Sequence, residues 1–245
     1  MIPVLKTTMA AAILLCGVTP RALAQIASSP YEFGIRAGIF IYQGDLTPQR
    51  AGSFKTPSFV FGINAAKRLS DVLAVRIDLN RGGLRGSDAA YAEPSWRKER
   101  NFKFSSPVTE LSASMVWNAW GTRHRLSPYV FAGAGLSILN IKRDATGFNT
   151  EYFSGEALDQ RLAADEAHRL PKILPILPVG IGLRYPLTSH LFLNAEAAYR
   201  YTATDYLDGY SQAANPNKND HYYIYSIGLT YAPGQRNRLG CPVVK

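Results

Sequence analysis

One stretch of the chain gathers residue types that could do chemistry. Thr204, Asp205, Tyr206, Leu207, Asp208, Gly209, Tyr210 and Ser211 run together, and Asp220 and His221 follow soon after. A hydrolase would use the Ser211 hydroxyl as nucleophile, His221 as the base that takes its proton, and a carboxylate to orient the ring. Asp205, Asp208 and Asp220 could instead hold calcium through oxygen ligands, or form an extracellular ligand-binding site. Plainer uses weigh more: aspartates cap turns, Gly209 permits a tight bend, and Tyr206 and Leu207 pack over a rim. Elsewhere there is no phosphate-cradling glycine loop, His-Glu metalloprotease spacing or nucleophile elbow. His124, His168, His190 and His221 fall at both ends of the expected fold and cannot form one cluster. No catalytic residue, metal ligand or cofactor is assigned, and the chain reads as non-enzymatic.

The elements that would position these residues follow from composition and patterning. The 245 residues carry 27 basic and 18 acidic side chains, a formal charge of +9. Hydrophobic residues at 47% against 18% charged exclude a disordered chain or a coiled coil. Cys16 and Cys241 alone cannot build a disulfide scaffold. Lys6, an apolar run over 9–18 and Ala22-Leu23-Ala24 before Gln25 form the pattern of a secretory signal peptide cleaved after Ala24. That run is too short to span a bilayer as a helix, and Leu15 is too bulky to precede a lipidated Cys16. The expected division is a signal peptide over 1–24, a barrel over 25–233 and a periplasmic tail over 234–245, with Cys241 free. Export leaves nucleic acid out as a partner.

Side chains alternate faces along a strand. Eight segments alternate in this way: 31–42, 58–66, 72–80, 110–119, 130–138, 177–185, 191–201 and 223–231. In the third, Leu73, Val75, Ile77 and Leu79 share one face while Arg76 and Asp78 share the other. Short connectors over 69–71, 121–127 and 186–190 follow the even strands, and long ones over 44–57, 82–102, 141–172 and 204–221 follow the odd strands. The expected fold is all-β, a transmembrane antiparallel up-and-down barrel of eight strands with short periplasmic turns and long extracellular loops, embedded in outer-membrane lipid. Hydrocarbon offers no partner to an open sheet edge, so the sheet must close.

A soluble barrel or sandwich also alternates, and the polar set separates the two. Glu32, Arg36, Arg76, Asp78, Glu110, Arg184, Glu196 and Arg200 balance in sign and favour arginine over lysine. A narrow lumen closed by ion pairs requires that balance, because unpaired buried charge is strongly destabilising. Asn194 is expected in the same network, and Gly133-Ala134-Gly135 reads as small residues in a crowded interior. Eight strands enclose a space that side chains can fill, so diffusive transport is not expected.

Tyr31, Trp117, Trp120, Tyr129, Tyr185 and Tyr231 are expected in a girdle at the periplasmic rim, and Tyr42, Tyr199, Tyr201 and Tyr223 at the outer rim. In the third long loop, residues 154–169 favour helix, with Arg169 late and Pro171 as the stop. Leu158 and Leu162 lie one turn apart there, and the helix reads as solvated more than as a docking element. Lys67, Arg68, Arg123, Arg125, Arg236, Arg238 and Lys245 gather at the periplasmic end, solvated or facing acidic partner surfaces.

Tyr31-Glu32-Phe33-Gly34-Ile35, Tyr42-Gln43-Gly44-Asp45-Leu46, Glu196-Ala197-Ala198-Tyr199-Arg200, Thr204-Asp205-Tyr206-Leu207-Asp208-Gly209 and the cysteine-containing basic tail together carry a resemblance. The chain resembles a family of Bacteroidetes outer-membrane barrels, DUF6089-like, that includes the PorG-like component of the type IX secretion system. It departs from the family pattern at Gly209, where a second acidic residue often stands, and in the third loop. The resemblance implies a non-enzymatic barrel associated with periplasmic secretion-complex subunits, and it supplies no catalytic residues.

Overall fold

A computed structural model describes residues 29–49, 52–121, 125–155 and 157–234. The proposed signal peptide, Arg123, His124, Arg236, Arg238, Cys241 and Lys245 lie outside the described residues. Strands β1 (Tyr31–Gln43), β2 (Ser58–Arg68), β3 (Leu73–Ser87), β4 (Lys103–Asn118), β5 (Ser127–Leu139), β7 (Ile173–Pro186), β8 (Leu191–Thr202) and β9 (His221–Tyr231) form the wall, and a short β6 (Lys142–Asp144) joins β4. Each wall strand is antiparallel to its sequence neighbour in the wall. β1 pairs with β9 through Phe33↔Tyr231, and β3 pairs with β4, so the ring closes. The fold is thus a closed, eight-stranded transmembrane barrel. The β5–β7 ladder skips the positions around Pro178, which has no N–H to give.

Burial along β3 decides which way the wall faces. Ile77 is 54% exposed, whereas Arg76 and Asp78 are 7% and 2% exposed. A soluble barrel would invert those values. Ile35, Leu111, Ile181 and Ile227 continue the exposed apolar belt around the wall, which suits hydrocarbon outside and polar groups inside. This is an outer-membrane barrel.

Several expectations need correcting. Strand β3 extends to Ser87, into the span read as the second long loop, and β4 begins at Lys103, ahead of the expected start at 110, because outward Arg81, Arg85, Ser105 and Thr109 end the apolar alternation while pairing continues through Ser87↔Lys103. There β6 takes the place beside β4 that β5 holds lower down, through Lys103↔Asp144. Tyr42 and Tyr129, expected in the aromatic girdles, are buried inside the barrel, since both fall on the inward parity of their strands. Ile41 is on the outward parity but buried against Gly52, whose φ of +75° turns the first loop down over the wall. The remaining girdle residues Tyr31, Trp117, Trp120, Tyr185, Tyr201 and Tyr231 are exposed, and Tyr199 and Tyr223 are half-buried.

The lumen is divided. Its lower part is charged, whereas inward positions near the extracellular end are apolar: Phe40, Val60, Leu84, Phe104, Val108 and Ile176 pack there with Tyr42 and Tyr222. The loops close over this plug with a 3₁₀ turn (Asp88–Ala90), α1 (Trp96–Arg100) and α2 (Leu158–Ala167). Helix α2 forms within its expected span but is docked rather than solvated. Leu158 is buried in the same cluster and Leu162 packs against it.

Candidate functional site

Strand parity brings the eight predicted lumen residues into three tiers. Near the periplasmic mouth, Arg184 Nη2 lies 2.5 Å from Glu32 Oε2, and Arg68 Nε lies 3.5 Å from Glu32 Oε1. In the middle, Glu196 receives Arg36 Nη1 at 3.0 Å, Arg76 Nη1 at 2.5 Å and the Tyr129 hydroxyl at 2.6 Å. Asp78 pairs with both Arg36 and Arg76, at 3.0 Å from Arg76 Nε. In the upper tier, Arg200 donates to Glu110 at 2.9 and 3.2 Å, and Asn80 and the Tyr222 hydroxyl each donate to it at 3.0 Å. The Arg76 guanidinium also lies 4.5 Å from the Phe131 ring centre and that of Arg184 lies 4.2 Å from Phe192.

Arg68, Asn80, Tyr129 and Tyr222 belong to this network and were not expected in it. Parity could have found Tyr129 and Tyr222, since each alternates with outward apolar residues. Arg68, placed with the solvated basic cluster, instead reaches inward to Glu32 and donates to the Ser29 carbonyl at 2.8 Å. Asn194 donates to Thr230 Oγ1 at 2.8 Å. Below the middle tier a cavity of about 50 Å³ is lined by Glu32, Arg36, Arg68, Arg76, Arg184 and Glu196. Above this cavity the lumen is filled, among the described residues, by the upper ion pairs and the buried apolar plug.

The extracellular cap holds the second cluster. The Tyr42 hydroxyl lies 2.6 Å from Asp208 Oδ2 and 2.9 Å from Asp220 Oδ1. One hydroxyl proton can serve only one carboxylate, so the other carboxyl keeps its own proton and donates it to Tyr42. Burial, reinforced by neighbouring carboxylates, raises both acids well above the ordinary range. Burial also raises Asp45, and it pushes Asp205 up to about 7. On α2, Asp165 accepts the N–H groups of Ser211, Gln212 and Ala213 at 3.1, 3.0 and 2.8 Å. Arg143 of β6 donates to the carbonyls of Asp165 and, at 3.0 Å, Gly209. Asp88 anchors α1 through Arg97 and Arg100, each at 2.7 Å. Asn149 of the third loop donates from Nδ2 to the Glu99 carboxylate at 2.7 Å and from its N–H to the Glu99 carbonyl at 2.9 Å, so the second, third and fourth loops form one lid.

The Thr204 to Gly209 motif is a piece of that lid. The Thr204 hydroxyl accepts the Tyr206 N–H at 3.1 Å, and the Tyr206 ring stacks on His168 at 4.0 Å. Leu207 is buried, and its N–H donates to Asp220 Oδ2 at 3.2 Å. Gly209 has φ +90°, a conformation that suits glycine.

The geometry does not assemble the alternative hydrolase on Ser211 and His221. Ser211 is buried with its N–H on Asp165, whereas the His221 ring stacks on Tyr201 and its Nδ1 accepts the Thr202 N–H at 3.3 Å. No hydrogen bond joins the two residues among those described. A calcium site on Asp205, Asp208 and Asp220 is not assembled either. Among the described residues no group of three His, Cys, Asp or Glu side chains converges to hold a metal ion. Tyr42 and two backbone N–H groups already occupy the oxygens that face one another.

A family model described as a domain of unknown function, DUF6089, matches residues 7–242. No curated protein matches the sequence. Solved structures similar to this chain include the outer membrane protein OprG from Pseudomonas aeruginosa, at 11% identity and TM-score 0.48, covering 85% of this chain and 99% of that one. Neisserial surface protein A is similar at 20% identity and TM-score 0.46, covering 84% and 98%. The N-terminal barrel domain of Pseudomonas aeruginosa OprF is similar at 12% identity and TM-score 0.43, also covering 84% and 98%.

Proposed function

The chain belongs to the DUF6089 family, and from that premise we propose that it works without catalysis, as an outer-membrane anchor on which periplasmic subunits of the type IX protein secretion machinery assemble. The observation that carries this reading is the sealed lumen. Ion pairs fill the lower part and Phe40, Leu84, Phe104 and Ile176 fill the upper part, so function falls to the surfaces at the two ends. The periplasmic rim offers Lys67, Arg125 and His190 for acidic partner surfaces.

Photo-crosslinkers at Arg125, His190 and Arg238 should capture periplasmic secretion subunits in intact cells. Recovering none of those subunits overturns the export role. Purified protein in planar bilayers should show no steady conductance, and a stable open channel overturns the anchor reading.

A further inference from the structure

The extracellular rim of the wall has two unlike sides. Over β8 and β9 it carries Tyr199, Tyr201, Tyr223 and Tyr225, with Phe54 of the first loop folded against Tyr225. On β3, β4 and β6 the outward positions above Leu79 and Leu111 include Arg81, Arg85, Thr109, Ser105 and Lys142, with Gly83 and Pro107 between the two arginine rows. Arg81, Arg85 and Lys142 are exposed. Pairing fixes their layout: Arg81 is opposite Thr109, Arg85 is opposite Ser105, and Ser105 meets Lys142 on its other side. Strand geometry then sets Arg81 and Arg85 about 13 Å apart, and Lys142 about 10 Å from Arg85.

The two arginines are held by neutral groups. Arg81 donates to Thr109 Oγ1, and Arg85 Nη2 donates to the Pro57 carbonyl at 2.6 Å. Ion pairs of the described residues lie in the lumen, at its periplasmic mouth and at Asp88, and none includes Arg81, Arg85 or Lys142. Among the described residues Asp144 is the outward acid of β6; it lies two positions from Lys142 on the same face and stands opposite Lys103. Below the patch, Leu79, Leu111, Leu136 and Ile138 are exposed to hydrocarbon. The cations therefore sit where lipid headgroups begin.

We propose that this patch is a binding site for outer-leaflet lipid whose headgroup carries anionic phosphate. The phosphates sit among Arg81, Arg85 and Lys142, and the acyl chains lie along Leu79, Leu111 and Ile138. Arginine presents a planar donor fork that matches a phosphate, and the apolar wall directly below favours a lipid over a free anion. Desolvated phosphate in the headgroup layer gains from each cation, so the three act together.

The test uses the full-length barrel in nanodiscs, comparing phosphatidic acid with phosphatidylcholine of the same acyl chains by native mass spectrometry. The protein should retain phosphatidic acid on the order of 100-fold more strongly. R81Q/R85Q/K142Q should bring the two lipids close to parity, while R81K/R85K/K142R keeps most of the preference and shows that the wall folds normally. No preference in the unmodified protein, or an undiminished one in the glutamine variant, overturns the proposal. So does complete displacement by millimolar inorganic phosphate, which points to a soluble anion site instead. The patch lies at the opposite end from the periplasmic rim, so these outcomes are independent of the crosslinking results.

Discussion

Glu196→Ala tests whether the lumen is held by paired charge. Glu196 is the shared acceptor for Arg36 at 3.0 Å, Arg76 at 2.5 Å and Tyr129 at 2.6 Å, and all four side chains are shielded by the barrel wall. Removing it leaves Asp78 alone against two guanidiniums. Breaking a buried ion pair from one side costs about 3–5 kcal/mol, and an orphaned buried hydroxyl adds about 1–3 kcal/mol. Partial relaxation of Tyr129 toward the cavity beneath it reduces the sum, so the expected loss is about 5 kcal/mol. Glu196→Gln keeps the shape and some hydrogen bonding but loses the charge, and should cost about 3 kcal/mol. Both are measured by denaturant unfolding of the barrel in lipid vesicles, followed by the fluorescence of the rim residues Trp117 and Trp120. A loss below about 1 kcal/mol for Glu196→Ala refutes the reasoning, because it means that solvent replaces the carboxylate and the lumen is wet.

Asp165→Ala removes the acceptor of three backbone N–H groups. It should destabilise the lid by about 3 kcal/mol and speed proteolysis in the third and fourth loops, with the barrel still resistant to heat in detergent. Asp205, raised to about 7 from 3.8, sets the sign of the pH response. Its unfolded form ionises first, so lid stability is greatest below about pH 4 and falls as pH rises toward about 7. Hydrogen exchange across the fourth loop should follow that fall, and Asp205→Asn should flatten it. Asp208→Asn removes one of the two carboxyls that meet at Tyr42, so it should stabilise the lid at alkaline pH and leave it nearly unchanged near pH 4. A variant destabilised at both pH values contradicts the shared-proton arrangement. At Gly133 an added Cβ would collide with the Ala113 carbonyl oxygen. Gly133→Ala should therefore lower the yield of folded barrel in refolding assays.

How much was legible in the sequence varies from tier to tier. The strand pairs of the lower barrel were readable because bilayer and lumen impose opposite demands on alternate residues, as Leu73 to Leu79 show. The extensions of β3 and β4 were hidden because above the bilayer the outward face turns polar and the apolar face turns inward, so Leu84 and Phe104 no longer mark the lipid side. Tyr42 and Tyr129 were misplaced because their type was weighed before their parity. The Ser211 and His221 pairing looked plausible in sequence. In the fold, backbone bonding to Asp165 holds one, and an aromatic stack with Tyr201 holds the other.

The sequence by itself determined the periodic wall, its closure and the charge balance of its interior, because each follows from one-dimensional spacing and from the cost of leaving polar groups in hydrocarbon. Tertiary structure alone decided which arginine meets which carboxylate, that Asp208 and Asp220 share Tyr42, and that α2 docks on the fourth loop. Those partners lie far apart in the chain, Tyr42 and Asp220 by 178 positions. Their meeting is set by strand register and by the way the loops fold back over the barrel mouth, which no local pattern encodes.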